Sequence, residues 1–367
     1  MKLFTCPACQ QTLHFENFQC TGCGRTLAYL PDLNLLTALD PVPDAAGVFM
    51  ALGPVAKNAR YRLCGNQIDQ AACNWAVPAA EAEKQRFCRA CRLNEIIPNL
   101  ADPAAKTAWL ALEDSKRRLI YTLLQWRLPI DSRADGNAQG LAFAFKQDLP
   151  GESKVFIEHD HGLITINIAE ALAPEREKAR LALGESYRTV LGHFRHESGH
   201  YYWDRLVADS PALEDFRRLF GDERASYDEA AQRHYRDGAP ADWRNRYVSA
   251  YASMHPWEDW AESWAHTLHM ADTLETAHSF GVDLRPRSIS GRDGAERSER
   301  RLEAHTRDLD FADFDGVVRA WVPLSVALNA LNRSMGVHDA YPFVLSEPAV
   351  EKLRFVHQVI QRAAEGP

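Results

Sequence analysis

No cysteine occurs after Cys91, although eight are crowded into the first 91 of the 367 residues. A disulfide framework running through the whole chain is therefore excluded. Long hydrophobic runs are also missing, since no uncharged apolar stretch approaches the roughly 18 residues of a membrane span. The opening Met1-Lys2-Leu3-Phe4-Thr5-Cys6 has no apolar segment of the secretory kind, so a cytoplasmic location is expected. There is no basic excess either: 42 Lys and Arg stand against 50 Asp and Glu, a net charge of −8. That balance argues against broad binding to a phosphate backbone. No fixed-period repeat or low-complexity tract is present. What is present is ordinary globular usage, with 46% hydrophobic and 25% charged residues, which excludes a mostly disordered chain.

The cysteines fall into two groups of four. Cys6-Pro7-Ala8-Cys9 and Cys20-Thr21-Gly22-Cys23 are two CxxC knuckles separated by ten residues. Each knuckle turns two thiolates toward one point, and four such sulfurs form the closed tetrahedral shell of structural zinc. Gly24 suits the tight turn after the second knuckle, where positive φ is cheap only for glycine. The second group is Cys64, Cys73, Cys88 and Cys91, in which a CxxC pair follows two cysteines separated by eight residues. It reads as a second four-thiolate zinc site, again with no open position for chemistry. Segments too small to build their own core often need such a staple.

Between the two groups, Pro31 to Pro54 is rich in Pro, Asp, Ala and Gly and reads as a connecting segment with little regular structure. Asp102-Pro103 marks a helix start, and the periodic run Trp109 to Trp126 carries that helix onward. Leu141 to Phe145, Val155 to Glu158 and Leu163 to Ile168 are strand candidates, the last two joined as a hairpin across His159-Asp160-His161-Gly162. From Pro174 onward the pattern is almost wholly helical, with amphipathic helices over Phe314 to Met335 and Pro348 to Ala363. The stretch Arg285 to Arg301, with six arginines against three acids, reads as a surface loop.

The helix expected to begin near Pro174 contains His196-Glu197-Ser198-Gly199-His200. Residues i and i+4 share a helix face, so both imidazoles can reach one metal ion, and Glu197 lies beside that ion without binding it. An open catalytic zinc needs a third protein ligand. Downstream, Pro256 is placed to open a helix on which Glu258 and Glu262 share a face, with Ala261 and Ala265 small enough for close helix approach. Glu258 is assigned as third ligand and Glu262 as the group that orients a ligand histidine. The reverse assignment stays open at this point. Trp257, Trp260 and Trp264 make the segment too apolar for a plain solvated face.

These residues resemble the gluzincin metallopeptidases, in which the third ligand is a glutamate on a later helix. More narrowly, almost the whole chain is similar to bacterial zinc-binding metallopeptidases with an N-terminal zinc ribbon. The similarity rests on Cys73-Asn74-Trp75, Cys88 to Asn94, His193 to Trp203, Leu331 to Gly336 and Tyr341 to Ser346. It implies an α+β architecture: zinc-ribbon modules, then a mainly helical zincin-like domain with a small β-sheet. The expected boundaries are a zinc ribbon over 1–30, a connecting segment over 31–60, a second four-cysteine module over 61–98 and a catalytic domain over 99–367.

One catalytic and two structural zinc ions are expected. Glu197 is the expected general base. Tyr251, seven residues before Glu258, is the candidate donor to the oxyanion, and a tyrosine at that offset is similar to one found in some gluzincins. His193 and Asp204 are further candidates to support the site, while His159, His161, His266 and His269 are read as packing or solvent-facing. Leu163 to Ile168 is taken, by analogy of fold, as an edge strand that could align a peptide. Two function classes follow. One is a zinc-dependent peptidase acting on a peptide or protein, its ribbon available to a protein partner. The other is a zinc-ribbon module binding protein or nucleic acid, with an inactive or purely structural metallopeptidase domain.

Overall fold

A computed structural model describes residues 1–149, 151, 154–183, 185, 187–286, 302–307 and 309–366. The chain is α+β and divides into two compact units. Lys2–Ala179 with Thr189–Phe194 form the N-terminal unit, and Arg180–Arg188 with Arg195–Pro367, joined by Met1, form the C-terminal unit. Among the described residues no helix is long and apolar enough to cross a membrane.

In the N-terminal unit, β1 (Phe4–Thr5) and β2 (Thr12–Leu13) form a hairpin that carries the first knuckle between its strands. The second knuckle closes on Gly24, whose φ is +72° and whose N–H bonds back to Cys20 O at 2.8 Å. Next come β3 (Thr26–Leu30), β4 (Leu35–Pro41), β5 (Phe49–Ala51), β6 (Arg60–Leu63), the short helix α1 (Gly65–Gln70) and β7 (Ala76–Pro78). Strands β3 to β7 form one antiparallel sheet in sequential order. The expectation of little regular structure between Pro31 and Pro54 is thereby corrected, because β4 and β5 occupy much of that segment. Composition misled here: Pro41 and Pro43 end a strand whose preceding residues, Leu36, Ala38 and Leu39, are buried in the sheet core.

Asn74 explains the Cys73-Asn74-Trp75 motif. It is buried, and its Nδ2 donates to the Phe15 carbonyl at 2.5 Å and the Asn17 carbonyl at 3.3 Å. It thus ties the second cysteine group to the first. Trp75 beside it packs on Tyr29 with ring centroids 4.6 Å apart. Replacing Asn74 by alanine leaves two inward carbonyls without this donor, and about 1–3 kcal/mol of stability should be lost. Chemical denaturation followed by Trp fluorescence measures it.

The unit continues with β8 (Asn94–Ile96), α2 (Pro103–Gln125), β9 (Ala142–Lys146), β10 (Glu158–Asp160) and β11 (Leu163–Asn167). Helix α2 begins as expected, Asp102 accepting the Ala104 N–H at 2.9 Å ahead of Pro103. The second sheet runs β10-β11-β9-β8. Two strand expectations need correction. The strand before the hairpin is Glu158–Asp160 rather than Val155–Glu158. Strand β11 is no edge, since it pairs antiparallel with β10 and parallel with β9; the edges are β10 and β8. The hairpin partner β10 on one side and β9 on the other take up β11's backbone groups, closing it to an added peptide strand. The turn itself is His161 and Gly162, both at positive φ.

Helices α3 (Ala173–Leu183) and α4 (Val190–Leu206) replace the single helix expected from Pro174. The chain leaves the helix after Leu183 and starts again where the Thr189 hydroxyl accepts the Gly192 N–H at 3.0 Å, satisfying a donor of the new first turn. Apolar periodicity continues across such an interruption, so it does not reveal the break.

The C-terminal unit adds α5 (Ala212–Phe220), α6 (Tyr227–Asp237), α7 (Pro256–Ser279), the strand pair β12 (Asp283–Leu284) and β13 (Ala304–His305), α8 (Phe314–Ser334) and α9 (Glu347–Glu365). Its core packs Met270 and Leu274 of α7 against Trp321 and Leu324 of α8 and Leu353 of α9. The arginine-rich stretch lies outside the described residues from position 287 onward.

Candidate metal centres

Four thiols meet at each of two points in the N-terminal unit. The sulfurs of Cys6, Cys9, Cys20 and Cys23 lie within 4.8 Å of one another, as do those of Cys64, Cys73, Cys88 and Cys91. All eight are free thiols, with the Cys9 and Cys20 sulfurs 3.5 Å apart and those of Cys73 and Cys88 3.6 Å apart. In the first group, the Arg25 backbone N–H and guanidinium bring the Cys23 thiol down to about 6, toward the thiolate a metal needs. The second group is wholly buried. Cys64 Sγ accepts the Cys88 N–H and Cys73 Sγ accepts the Trp75 N–H, each at 3.4 Å. Buried Lys116 and Arg117 of α2 stand near this site, Lys116 holding Glu113 at 2.7 Å while Glu113 Oε2 lies 3.9 Å from Cys91 Sγ. Four thiolates around a divalent ion carry a net −2, so buried cations nearby offset charge that burial would otherwise penalise.

The third site is built from α4 and α7. Gly199 on α4 has no room for a side chain: a Cβ there would meet Ala261 Cα at 2.9 Å and Trp264 Cβ at 3.1 Å. The two small residues let the helix backbones approach closely. Trp260 Nε1 donates to Gly199 O at 2.8 Å, Trp264 Nε1 donates to Ser198 Oγ at 3.1 Å, and Arg195 pairs with Asp272 at 2.6 Å. Gly199→Ala should therefore cost about 1–3 kcal/mol through overpacking. A lowered thermal midpoint of the protein with its four-cysteine sites loaded but without the third ion is the check.

This close packing brings His196, His200 and Glu258 together, with one donor atom from each inside 4.8 Å. His196 Nε2 lies 2.9 Å from Glu258 Oε2, and His200 Nε2 lies 3.6 Å from Glu258 Oε1. Glu262 takes the other face of His196, its Oε1 2.8 Å from Nδ1, while its Oε2 accepts the Ser249 hydroxyl at 2.5 Å. The geometry separates the two glutamates: Glu258 faces both histidines, and Glu262 meets only the outer nitrogen of one.

Charge follows the same division. Burial alone would raise the Glu258 carboxyl, but His200 and His196 outweigh it and hold the group well below the ordinary carboxylate range. Burial would likewise lower His196, yet Glu258 and Glu262 keep its imidazolium well above the usual value. A proton there occupies the place of a cation, the behaviour of a metal-ligand set whose binding releases protons. Two imidazoles and one carboxylate with a further carboxylate behind them match an open zinc site in donor chemistry.

Glu197 is buried at 8% exposure and near enough to raise the phenols of Tyr227 and Tyr251 by its charge. The Tyr251 ring lies 5.8 Å from that of His196, and burial followed by the Glu258 charge holds its phenol well above 10. His193 is placed elsewhere, its Nδ1 3.6 Å from Glu170 Oε2 within the N-terminal unit. Asp204, one turn past His200, is exposed. His266 is buried and hydrogen-bonded to the Tyr341 hydroxyl at 2.7 Å, and burial lowers it to about 4. His269 packs beside Trp321 and Tyr341, so both histidines are core residues. Three groups were missed from the sequence. Ser249 holds Glu262, the Trp257 ring lies 4.2 Å from that of His200, and Tyr227 donates to Glu258 Oε1 at 2.8 Å. Trp257 was noted only as apolar, and no spacing rule points to the other two.

Residues 105–359 match the family described as "Putative zinc-binding metallo-peptidase", and residues 3–102 match a zinc-ribbon domain. Uncharacterized proteins of Mycobacterium bovis and Mycobacterium tuberculosis are 40% identical over 365 residues, covering 99% of this chain and 96% of theirs. No solved structure matches the chain. With the family match spanning most of the chain and three clusters of side chains able to hold a metal ion in place, the chain belongs to this zinc-binding metallopeptidase family and carries a zinc ribbon at the N-terminus.

Proposed function

We propose that the protein is a zinc-dependent peptidase that hydrolyses peptide bonds in a peptide or protein substrate. The observation that carries this reading is the convergence of His196, His200 and Glu258, with Glu197 buried one residue along the same helix from His196. Zinc held by these three ligands would polarise the scissile carbonyl and acidify water. Glu197 accepts the proton from the attacking water and passes it to the departing amine. Tyr251, kept protonated by burial and by the Glu258 charge, donates to the oxyanion. Glu262 fixes the His196 ring from behind, and Ser249 fixes Glu262. In this reading residues 1–98 are stapled by two structural zinc ions, and the ribbon is a surface for a protein partner. Residues 99–367 form the catalytic domain, and the protein acts in the cytoplasm.

Metal analysis of the purified protein should find about three zinc ions per chain by this ligand count. Digestion of a peptide library should show cleavage that a chelator abolishes and zinc restores. A zinc content of two with no cleavage would instead leave only structural metal.

A further inference from the structure

Helix α6 supplies a contact to the metal centre that the motif spacing does not reveal. Tyr227, its first residue, follows Ser226, whose hydroxyl accepts the Glu229 N–H at 3.4 Å and caps the helix. The cap sets where the helix starts and so where Tyr227 projects. The chain just before it is also tied to the start of α7. His255 Nδ1 accepts the Trp257 N–H at 3.1 Å, which leaves Nε2 to donate to Ala225 O at 3.0 Å. One imidazole thus joins the approach to α6 to the first turn of α7, the turn that carries Glu258. The Tyr227 ring stands edge-on to His255 at 5.4 Å and to Trp257 at 6.4 Å. Held in this way, its hydroxyl donates to Glu258 Oε1 at 2.8 Å.

We propose that Tyr227 is a positioning residue for the metal ligand Glu258, its phenol engaging Oε1 so that Oε2 is presented to the ion. A carboxylate has two equivalent oxygens and a freely turning terminal torsion. Here Oε1 lies 3.6 Å from His200 Nε2 while Oε2 lies 2.9 Å from His196 Nε2, so both oxygens face the ligand cluster. A donor on one of them removes the ambiguity and restrains the torsion. The arrangement on the other side of the site is parallel: Ser249 restrains Glu262, which restrains His196. The two glutamates of α7 thus each have an outer hydroxyl donor, Tyr227 for Glu258 and Ser249 for Glu262. The two tyrosines then divide their work, Tyr227 acting through the ligand and Tyr251 acting on substrate. An ordinary phenol is protonated at neutral pH, so Tyr227 can serve as the donor in this contact.

The inference rests on His196, His200 and Glu258 holding the ion, and its test reads metal affinity rather than cleavage. Full-length protein with its two four-cysteine sites loaded is titrated with zinc against a chelating indicator, as wild type, Tyr227→Phe and Tyr251→Phe. Loss of an outer partner of this kind typically weakens metal binding 10–100-fold. Tyr227→Phe should bind the third zinc about 10–100-fold more weakly, with the thermal midpoint of the protein lacking that ion unchanged. Tyr251→Phe, which removes only a neighbour of the Tyr227 hydroxyl and not the donor to Glu258, should weaken zinc binding less than Tyr227→Phe does. Tyr227 is 39% exposed and phenylalanine preserves its ring contacts, which favours an intact fold in the variant. Wild-type zinc affinity in Tyr227→Phe would overturn the assignment. So would a weakened affinity accompanied by a matching loss of stability without the ion, because the phenol would then merely support the fold. A weakened affinity in a protein that cleaves no peptide would uphold the role of Tyr227 and count against the peptidase reading alone.

Discussion

Glu197→Gln should lower kcat/KM for peptide cleavage by about 10²–10⁴-fold, the usual contribution of a positioned general base. Glutamine preserves the size and shape of the side chain, so the buried position on α4 is not overpacked and no cavity opens. What it loses is the capacity to accept a proton. Because Glu197 is not among the three donor residues, the variant should still bind the third zinc ion with an affinity close to wild type. The combination separates chemistry from metal binding: unchanged zinc content with collapsed turnover is expected, measured by metal analysis and by progress curves on a cleaved library peptide. Undiminished cleavage by Glu197→Gln would overturn the mechanism. Loss of zinc in that variant would show Glu197 to be a ligand and redraw the site.

Cys73→Ser should have the largest effect on stability. All four cysteines of the second group are buried, and the segment around them spans short strands with a modest core. Structural zinc in comparable small modules contributes about 10–16 kcal/mol of apparent binding energy, which is folding energy wherever the site forms only with the fold. A hydroxyl is a poor replacement for a thiolate on zinc, and the site would be left with three thiolates and the buried cations Lys116 and Arg117 around it. Loss of even part of that binding energy is comparable with the entire net stability of a domain, about 5–15 kcal/mol. The variant should lose one zinc ion per chain and the cooperative unfolding of the N-terminal unit. Trp75, fully buried beside Cys73, reports the change through its fluorescence. A full complement of zinc with an unchanged unfolding transition would remove the structural role.

Some of this architecture could be read directly from the chain because the relevant geometry is local. In His196-Glu197-Ser198-Gly199-His200 the helix itself places two imidazoles on one face, whatever the rest of the fold does. A CxxC knuckle likewise gathers its two sulfurs within one turn. Asp102-Pro103 announces a helix start through capping and the fixed φ of proline, and Pro256 does so through its φ. Other features were hidden for equally physical reasons. Strands β4 and β5 lie in a stretch whose prolines and glycines resemble a linker, and they are strands because partners several residues away supply their hydrogen bonds. The break between α3 and α4 depends on a cap at Thr189, to which apolar periodicity is insensitive.

By itself the amino-acid sequence determined the chemistry on offer: eight thiols in two groups confined before residue 92, and a His-Glu-His set on one helix with two glutamates on a later one. The cysteine-free remainder thus had to draw any metal ligands from imidazole and carboxylate. Only the tertiary structure decided how those groups are used. Spacing along α7 puts Glu258 and Glu262 on the same face and treats them alike. The contact of Gly199 with Ala261 sets the offset between α4 and α7, so Glu258 faces both histidines and Glu262 meets His196 from behind. Tyr227 and Ser249 join them from segments 31 residues before Glu258 and 13 residues before Glu262. No short-range periodicity encodes such meetings, because they depend on how whole helices pack.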